Sequence, residues 1–321
     1  MTAVLDHVIA AISPASEAQA AAAAARLGDP EPGSVAALAI RLAAARHAPR
    51  PRIGRKAVVV VLGDHGVADP GIDLGVAHPT AVAARALGAG DTALAEVARR
   101  VGAKIVLIDA GMAAAALVPV SAIRVGRGPS ADLRTAAAQT PVEVAMSIDA
   151  GIALATALAD DGLDVLALGQ VGLGAELASA AIVAALTGSE ASAVARGADD
   201  IACVAEALAT AGRLGPLDAL AAFGGGDTAV LVGLILAAAS MDVPILLDDH
   251  ATSAAALVAT RLAPAALGYL VAAHGGTYPA HRKALAALGL VPLFELGLAR
   301  GEGTGAALGL SMVDAAAALL A

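Results

Sequence analysis

The chain has 321 residues, with 29 Asp plus Glu against 20 Lys plus Arg, one Cys, no Trp, two Tyr and two Phe. A net charge of -9 and a single thiol argue against nucleic-acid binding, a disulfide framework and a Cys-rich metal site, because those need clustered cations or several cysteines. The composition is 58% hydrophobic with a mean hydropathy of +0.77. Much of that is alanine, and uncharged runs such as Ala110–Ile123 and Thr228–Met241 span 14 residues, short of the roughly 18 or more that a spanning helix requires. Neither a nucleic acid nor a membrane is expected as a partner. Asp6 follows closely on the N-terminus with no basic segment before it, so the chain reads as cytoplasmic without a secretory signal.

In chain order, the first fifty residues read as an Ala-rich helix, a Gly- and Pro-rich turn over 28–34, and a second helix through Arg46 with Ser34 as its N-cap. From Lys56 the pattern changes to short apolar runs alternating with Ala-rich helical stretches. The runs are Ala57–Leu62, Lys104–Ile108, Leu163–Leu168, Leu217–Phe223, Val243–Leu247 and Leu267–Ala273. None alternates cleanly with polar residues, as expected of strands buried on both faces. Strands alternating with helices predict right-handed crossovers and a mainly parallel α/β sheet of about six strands with helices on both faces. Glu302–Ala321 reads as a final helix that packs with the N-terminal ones.

Each run ends in glycine or a polar group: Gly63-Asp64-His65-Gly66, Asp109-Ala110-Gly111, Gly169-Gln170-Val171-Gly172-Leu173-Gly174, Gly224-Gly225-Gly226-Asp227-Thr228, Asp248-Asp249-His250 and His274-Gly275-Gly276. In a parallel sheet these segments share the carboxyl edge, where open α/β folds bind ligands. The glycine-rich turns at Gln170–Gly174 and Gly224–Thr228 suit an anion at a helix N-terminus, and suit a tight turn equally well. Neither is a Walker loop or a dinucleotide fingerprint. The Asp and His residues show no metal-ligand spacing such as His-Glu-X-X-His, and no metal is expected. Glu302 stands between Gly301 and Gly303, and the residues alone favour an exposed turn acid that caps the last helix over a functional carboxylate.

Taken together, Gly63–Val67 after its strand, Pro30–Ser34, Val243–Asp248 with Thr252–Leu257, His274 with Pro279–Arg282, and above all Leu296–Ala306 resemble the nicotinate-nucleotide:dimethylbenzimidazole phosphoribosyltransferase family of cobalamin lower-ligand synthesis. The resemblance runs in order from about residue 28 to the end. It implies a Rossmann-like fold with a small helical domain (1–50 with 302–321) on a large ligand-binding domain (51–301), working as a homodimer. It implies transfer of phosphoribose from nicotinate mononucleotide to a benzimidazole-type base, with no cofactor and no metal. Glu302 matches the family's general base. The substrate-binding positions would be Asp64, His65, His78, Gln170, Gly172, Gly174, Ala175, Gly225, Asp227, Asp248, His274, Gly301 and Gly303.

The chain departs from the family in its contacts. The family's Gly-Glu-Met-Gly-Ile-Gly-Asn-Thr-Thr segment is here Gly169–Leu177, with Gln170 for the acid and Ala175-Glu176 for Asn-Thr. The family's phosphate-binding lysine aligns roughly with Glu206. Its Ser-aromatic-Pro-Gln stretch is Gly75–Thr80 here, and its Gly-Gly-Phe-Glu is Gly225–Thr228. A diverged relative, binding another nucleoside or a small metabolite with or without turnover, is the alternative expectation.

Overall fold

The computed structural model describes residues 2–27, 31, 34–68, 75–113, 123–126, 128–209, 211–298 and 302–321. The N-terminal region holds three helices, α1 (Ala3–Ala11), α2 (Glu17–Leu27) and α3 (Val35–Ala45). The expected first helix is thus two, divided around Pro14, and Ser34 caps α3 by accepting from Ala37 N. Then follow β1 (Lys56–Leu62), α4 (Pro79–Ala89), α5 (Ala93–Arg100), β2 (Ala103–Asp109), β3 (Ile123–Arg124), α6 (Pro141–Asp160) and β4 (Val165–Val171). The second half adds α7 (Ala175–Thr187), α8 (Gly197–Ala209), α9 (Pro216–Phe223), α10 (Gly226–Ser240), β5 (Ile245–Leu247), α11 (His250–Leu262), β6 (Leu270–Ala272), α12 (Pro279–Leu288) and α13 (Thr304–Leu320).

The six strands lie in the order β3-β2-β1-β4-β5-β6, and all the pairings are parallel. This is the doubly wound Rossmann order, in which the chain reverses direction across the sheet between β1 and β4. β1 lies beside both neighbours over its full length, from Lys56 opposite Ala103 and Val165 to Leu62 opposite Asp109 and Val171. Period-two alternation sends its side chains into two layers. Val59 and Val61 enter the core with α1, α6, α7, α10 and α11. Val58, Val60 and Leu62 enter the opposite core with α2, α3, α4, α5 and α13. Each such fully buried Val or Leu contributes about 1.5–3 kcal/mol relative to exposure.

Two sequence expectations are corrected. Leu217–Phe223 is a helix, α9, and the sixth strand is the short β3. Pro216 occupies the first turn of α9 after the N-cap Gly215, Asp218 lies in that turn, and the run has no β-branched residue, all of which favour helix. β4 also runs further than its apolar stretch, so Gly169 and Gln170 lie within the strand. By length and composition α6, at 20 residues, is apolar enough to cross a membrane. It carries Glu143 and Asp149, and it buries Val144, Ile148, Ile152 and Ala155 in the core shared with α10. α10 is buried from Asp227 to Ala239, which accounts for much of the chain's hydropathy.

Candidate active site

The carboxyl ends of β1 and β4 meet at the switch point of the sheet. Asp64, just beyond β1, is buried, and its Oδ1 accepts from Leu173 N at 2.9 Å and from the Thr80 hydroxyl. Its Oδ2 accepts from Ala113 N at 2.8 Å. One carboxylate thus ties the turns after β2 and β4 and the first turn of α4 to the end of β1. His78, at the N-cap position of α4, brings Nε2 to 3.9 Å from Asp64 Oδ2, and its buried Nδ1 has no hydrogen-bond partner among the described residues.

His65, Asp227 and Gln170 form a second buried network. Asp227 Oδ2 accepts from Gln170 Nε2 at 2.7 Å and lies 3.1 Å from His65 Nε2. Its Oδ1 accepts from Thr228 N at 2.7 Å. Gln170 Nε2 also donates to Gly63 O at 3.3 Å, and Ser130 Oγ stands 3.4 Å from His65 Nδ1. Burial works to lower the His65 pKa. The charge and hydrogen bond of Asp227, with Asp64 and Glu176 beyond, outweigh it and leave the pKa raised. For Asp227 burial pushes upward, and His65 together with the Thr228 and Gln170 hydrogen bonds brings the pKa below its ordinary value.

The glycines explain how these elements approach. A Cβ on Gly172 would lie 1.6 Å from Gly63 O, so no side chain fits where the two strand ends converge. Gly174, with φ +78°, is the N-cap of α7 and the buried Ala175 is its first residue. Gly225 is the N-cap of α10, and a Cβ there would meet His65 Cε1 at 2.7 Å. The turn at Gly224–Thr228 therefore joins two helices, contrary to the strand-to-helix turn expected, yet it still delivers Asp227 beneath the end of β1. A cavity of about 340 Å³ opens beside it, lined by Ala110, Ser130, Gln139, Met146, Ser147 and Gly226 among others. Glu206, aligned with the family's lysine, is exposed on α8 and acts on Arg134 and Cys203.

The other half of the edge belongs to Glu302. A Cβ on Gly169 would lie 2.5 Å from Gly303 N and 2.8 Å from Glu302 C, so the Glu302–Gly303 turn rests directly on the β4 backbone. Asp248, at the end of β5, is wholly buried and accepts from Gly303 N at 2.9 Å and Ala306 N at 2.7 Å. His274 Nε2 stands 3.5 Å from Asp248 Oδ1. Its ring stacks on Phe294 with a 6.1 Å centroid separation. Gly301 lies outside the described residues.

Behind this turn lie Asp249, His250 and His281. Burial, with the Asp248 charge, raises the Asp249 pKa well above the carboxylate range. Burial holds His250 and His281 down at about 4. His281 Nε2 donates to His274 O at 2.8 Å, so Nδ1, 3.0 Å from Ser253 Oγ, is the acceptor. A histidine with a folded pKa below its unfolded 6.5 stabilises fully above that pH and loses the contribution as pH falls towards 4. Unfolding free energy in urea is therefore expected to decline over that window, with each such histidine adding up to about 1.4 kcal/mol per pH unit. His281→Gln should flatten the slope by about one proton's worth; an unchanged slope would exclude His281 as a source. Among the described residues no group of three or more His, Cys, Asp or Glu is placed to hold a metal ion.

Thr80, Ser130 and Ser253 are site-building residues absent from the expected set: Thr80 and Ser253 lie within segments that align with the family, Ser130 does not, and only the tertiary fold brings the three to Asp64, His65 and His281.

A Rossmann-ordered sheet with a carboxylate turn and two buried polar networks at its switch point defines a doubly wound α/β protein with a ligand site at the carboxyl edge of its sheet. The phosphoribosyltransferase family model matches residues 9–321. A nicotinate-nucleotide–dimethylbenzimidazole phosphoribosyltransferase of Roseiflexus sp. (strain RS-1) is 40% identical, covering 98% of this chain and 94% of the relative. One from Mycobacterium marinum is also 40% identical, covering 83% and 77%. The crystal structure of CobT from Thermus thermophilus superposes with a TM-score of 0.83 at 33% identity, covering 94% of this chain and 95% of that one. The chain belongs to the nicotinate-nucleotide–dimethylbenzimidazole phosphoribosyltransferase family and is a glycosyl-transferring enzyme.

Proposed function

We propose that the protein transfers the 5-phosphoribosyl group of nicotinate mononucleotide to a benzimidazole-type base, giving an α-ribazole phosphate and nicotinate. The observation that carries this reading is the Glu302–Gly303 turn seated on Gly169 at the switch point, in a chain whose relatives bear that name. Glu302 takes the azole N–H proton while the other ring nitrogen attacks C1′. The C1′–N bond to the pyridinium ring breaks, and its electron pair leaves with nicotinate. Attack opposite the leaving group inverts the β linkage to α. Holding both substrates in line contributes much of the acceleration.

The 5′-phosphate is assigned to the Gly172–Ala175 turn, where the free N–H groups and dipole of α7 favour an anion. Glu176, in the first turn of α7, opposes this, and His65, whose raised pKa reflects Glu176 among other groups, counters it. Asp64, His78, Gln170, Gly225 and Asp227 complete the substrate side. A homodimer and a cytoplasmic location belong to the same proposal, as does a helical unit drawn from both termini. The dimer is supported by the family resemblance and by Val142 and Met146 of α6, which are 67% and 59% exposed.

The test is direct. Purified protein mixed with nicotinate mononucleotide and dimethylbenzimidazole should release nicotinate and form α-ribazole phosphate in equal amounts. No release at enzyme concentrations comparable to substrate would defeat the proposal.

A further inference from the structure

Helix α13 begins without a cap of its own, since its N-cap residue is Gly303, whose φ is +90° and which has no side chain to offer. The first N–H groups of a helix need acceptors, and where the local sequence supplies none, another element must. Here the acceptor is Asp248. Its two oxygens take Gly303 N at 2.9 Å and Ala306 N at 2.7 Å, across 55 and 58 residues of chain. The carboxylate is fully buried, so water cannot replace either bond. Both of its oxygens are occupied by the backbone that carries Glu302.

We infer that Asp248 is the positioning residue for Glu302: a capping carboxylate supplied by β5 that fixes the start of α13, and with it the general base, against the end of β4. The inference rests on the proposed role of Glu302. Three contacts hold the turn from different sides. Gly169 admits it to within van der Waals distance of β4, as any Cβ there would strike Gly303 N. Asp248 ties down its two N–H groups. The His274 ring closes the third side: a Cβ on Gly305 would fall within 2.1 Å of His274 Cδ2. His274, 1% exposed, has no hydrogen-bond partner at either ring nitrogen among the described residues, and Asp248 Oδ1 lies 3.5 Å from its Nε2. Asp248 and His274 thus support the base from behind.

Asp248→Asn keeps the shape but offers only one acceptor, leaving an amide N–H₂ facing a backbone N–H. Asp248→Glu keeps both acceptors and displaces the turn by one methylene. Each variant should lower kcat by about 10²-fold, the loss associated with misplacing a catalytic group by roughly 1 Å, with a much smaller change in KM for the nucleotide. In a Glu302→Gln background the same substitutions should change kcat by less than about twofold, because residues that act as a unit are strongly non-additive. A merely structural role would lower kcat equally in both backgrounds, and that result would overturn the inference. Crystal structures of the Asp248 variants give a readout that does not depend on the role of Glu302. Glu302 and Gly303 should shift while β5 and the rest of α13 stay in place; an unmoved turn would reject Asp248 as its anchor. Should Glu302→Gln turn over at the wild-type rate, the proposed base fails, while the crystallographic result still decides whether Asp248 places the turn. If Asp248→Asn fails to fold, Asp248→Glu carries both measurements.

Discussion

Glu302→Gln is expected to lower turnover by about 10²-fold or more, the usual contribution of a positioned general base. The amide is isosteric but takes no proton from the azole, so the non-attacking ring nitrogen keeps its hydrogen and positive charge builds on the azole as the C1′–N bond forms. The turn itself should keep its place, since it is held through the backbone N–H groups of Gly303 and Ala306 and through its seat on Gly169. Steady-state release of nicotinate, with a thermal melt as control, checks this. A rate near wild type would reject Glu302 as the base, and a large drop in melting temperature would reject the assignment of its effect to chemistry.

Asp227→Ala should be the most damaging substitution to stability. Asp227 is fully buried and serves His65, Gln170 and Thr228 N at once. Removing it strands a buried amide, a buried backbone N–H and a buried imidazole whose charge it sustains. Breaking a buried pair from one side costs about 3–5 kcal/mol, whereas Asp227→Asn, which retains an acceptor, should cost less. His65 has a raised folded pKa, so its contribution is fully present below its unfolded value of 6.5 and is lost as pH rises through the folded pKa. Asp227, with a lowered pKa, contributes above its unfolded 3.8 and loses that as pH falls through the folded value. The pair is therefore strongest between about pH 4 and 6.5. Urea unfolding of wild type and Asp227→Ala across that range measures the effect, and NMR titration of His65 should show its pKa falling in the variant. A His65 pKa unmoved by the substitution would dismiss the pairing.

Much of this protein is legible in its residues. The strands β1, β2, β4 and β5 are Val-, Ile- and Leu-rich runs bounded by glycine or aspartate, and burial on both faces leaves no alternation to confuse them. The Gly63-Asp-His segment and the Glu302 loop stand out because they combine glycine with ionisable side chains after an apolar run. Leu217–Phe223 misleads for a physical reason: a short apolar run without β-branched residues fits a buried helix as well as a strand, and Pro216 is the decisive local signal. β3 escapes notice because two residues carry no periodicity at all.

What the sequence by itself determined is the layered α/β class, the candidate base and the kinship that names the reaction, because these depend on local patterns and on motifs in order along the chain. Only the tertiary structure decided which of the polar residues at the strand ends work together. Thirty-five glycines announce close approaches without saying to what. The fold shows Gly172 against Gly63 and Gly169 against Gly303, contacts between segments more than a hundred residues apart. In the sequence Asp248 is one more group at a strand end. Its role follows from two backbone N–H groups near the far terminus, a pairing set by the packing of α13 on the sheet and by no local pattern.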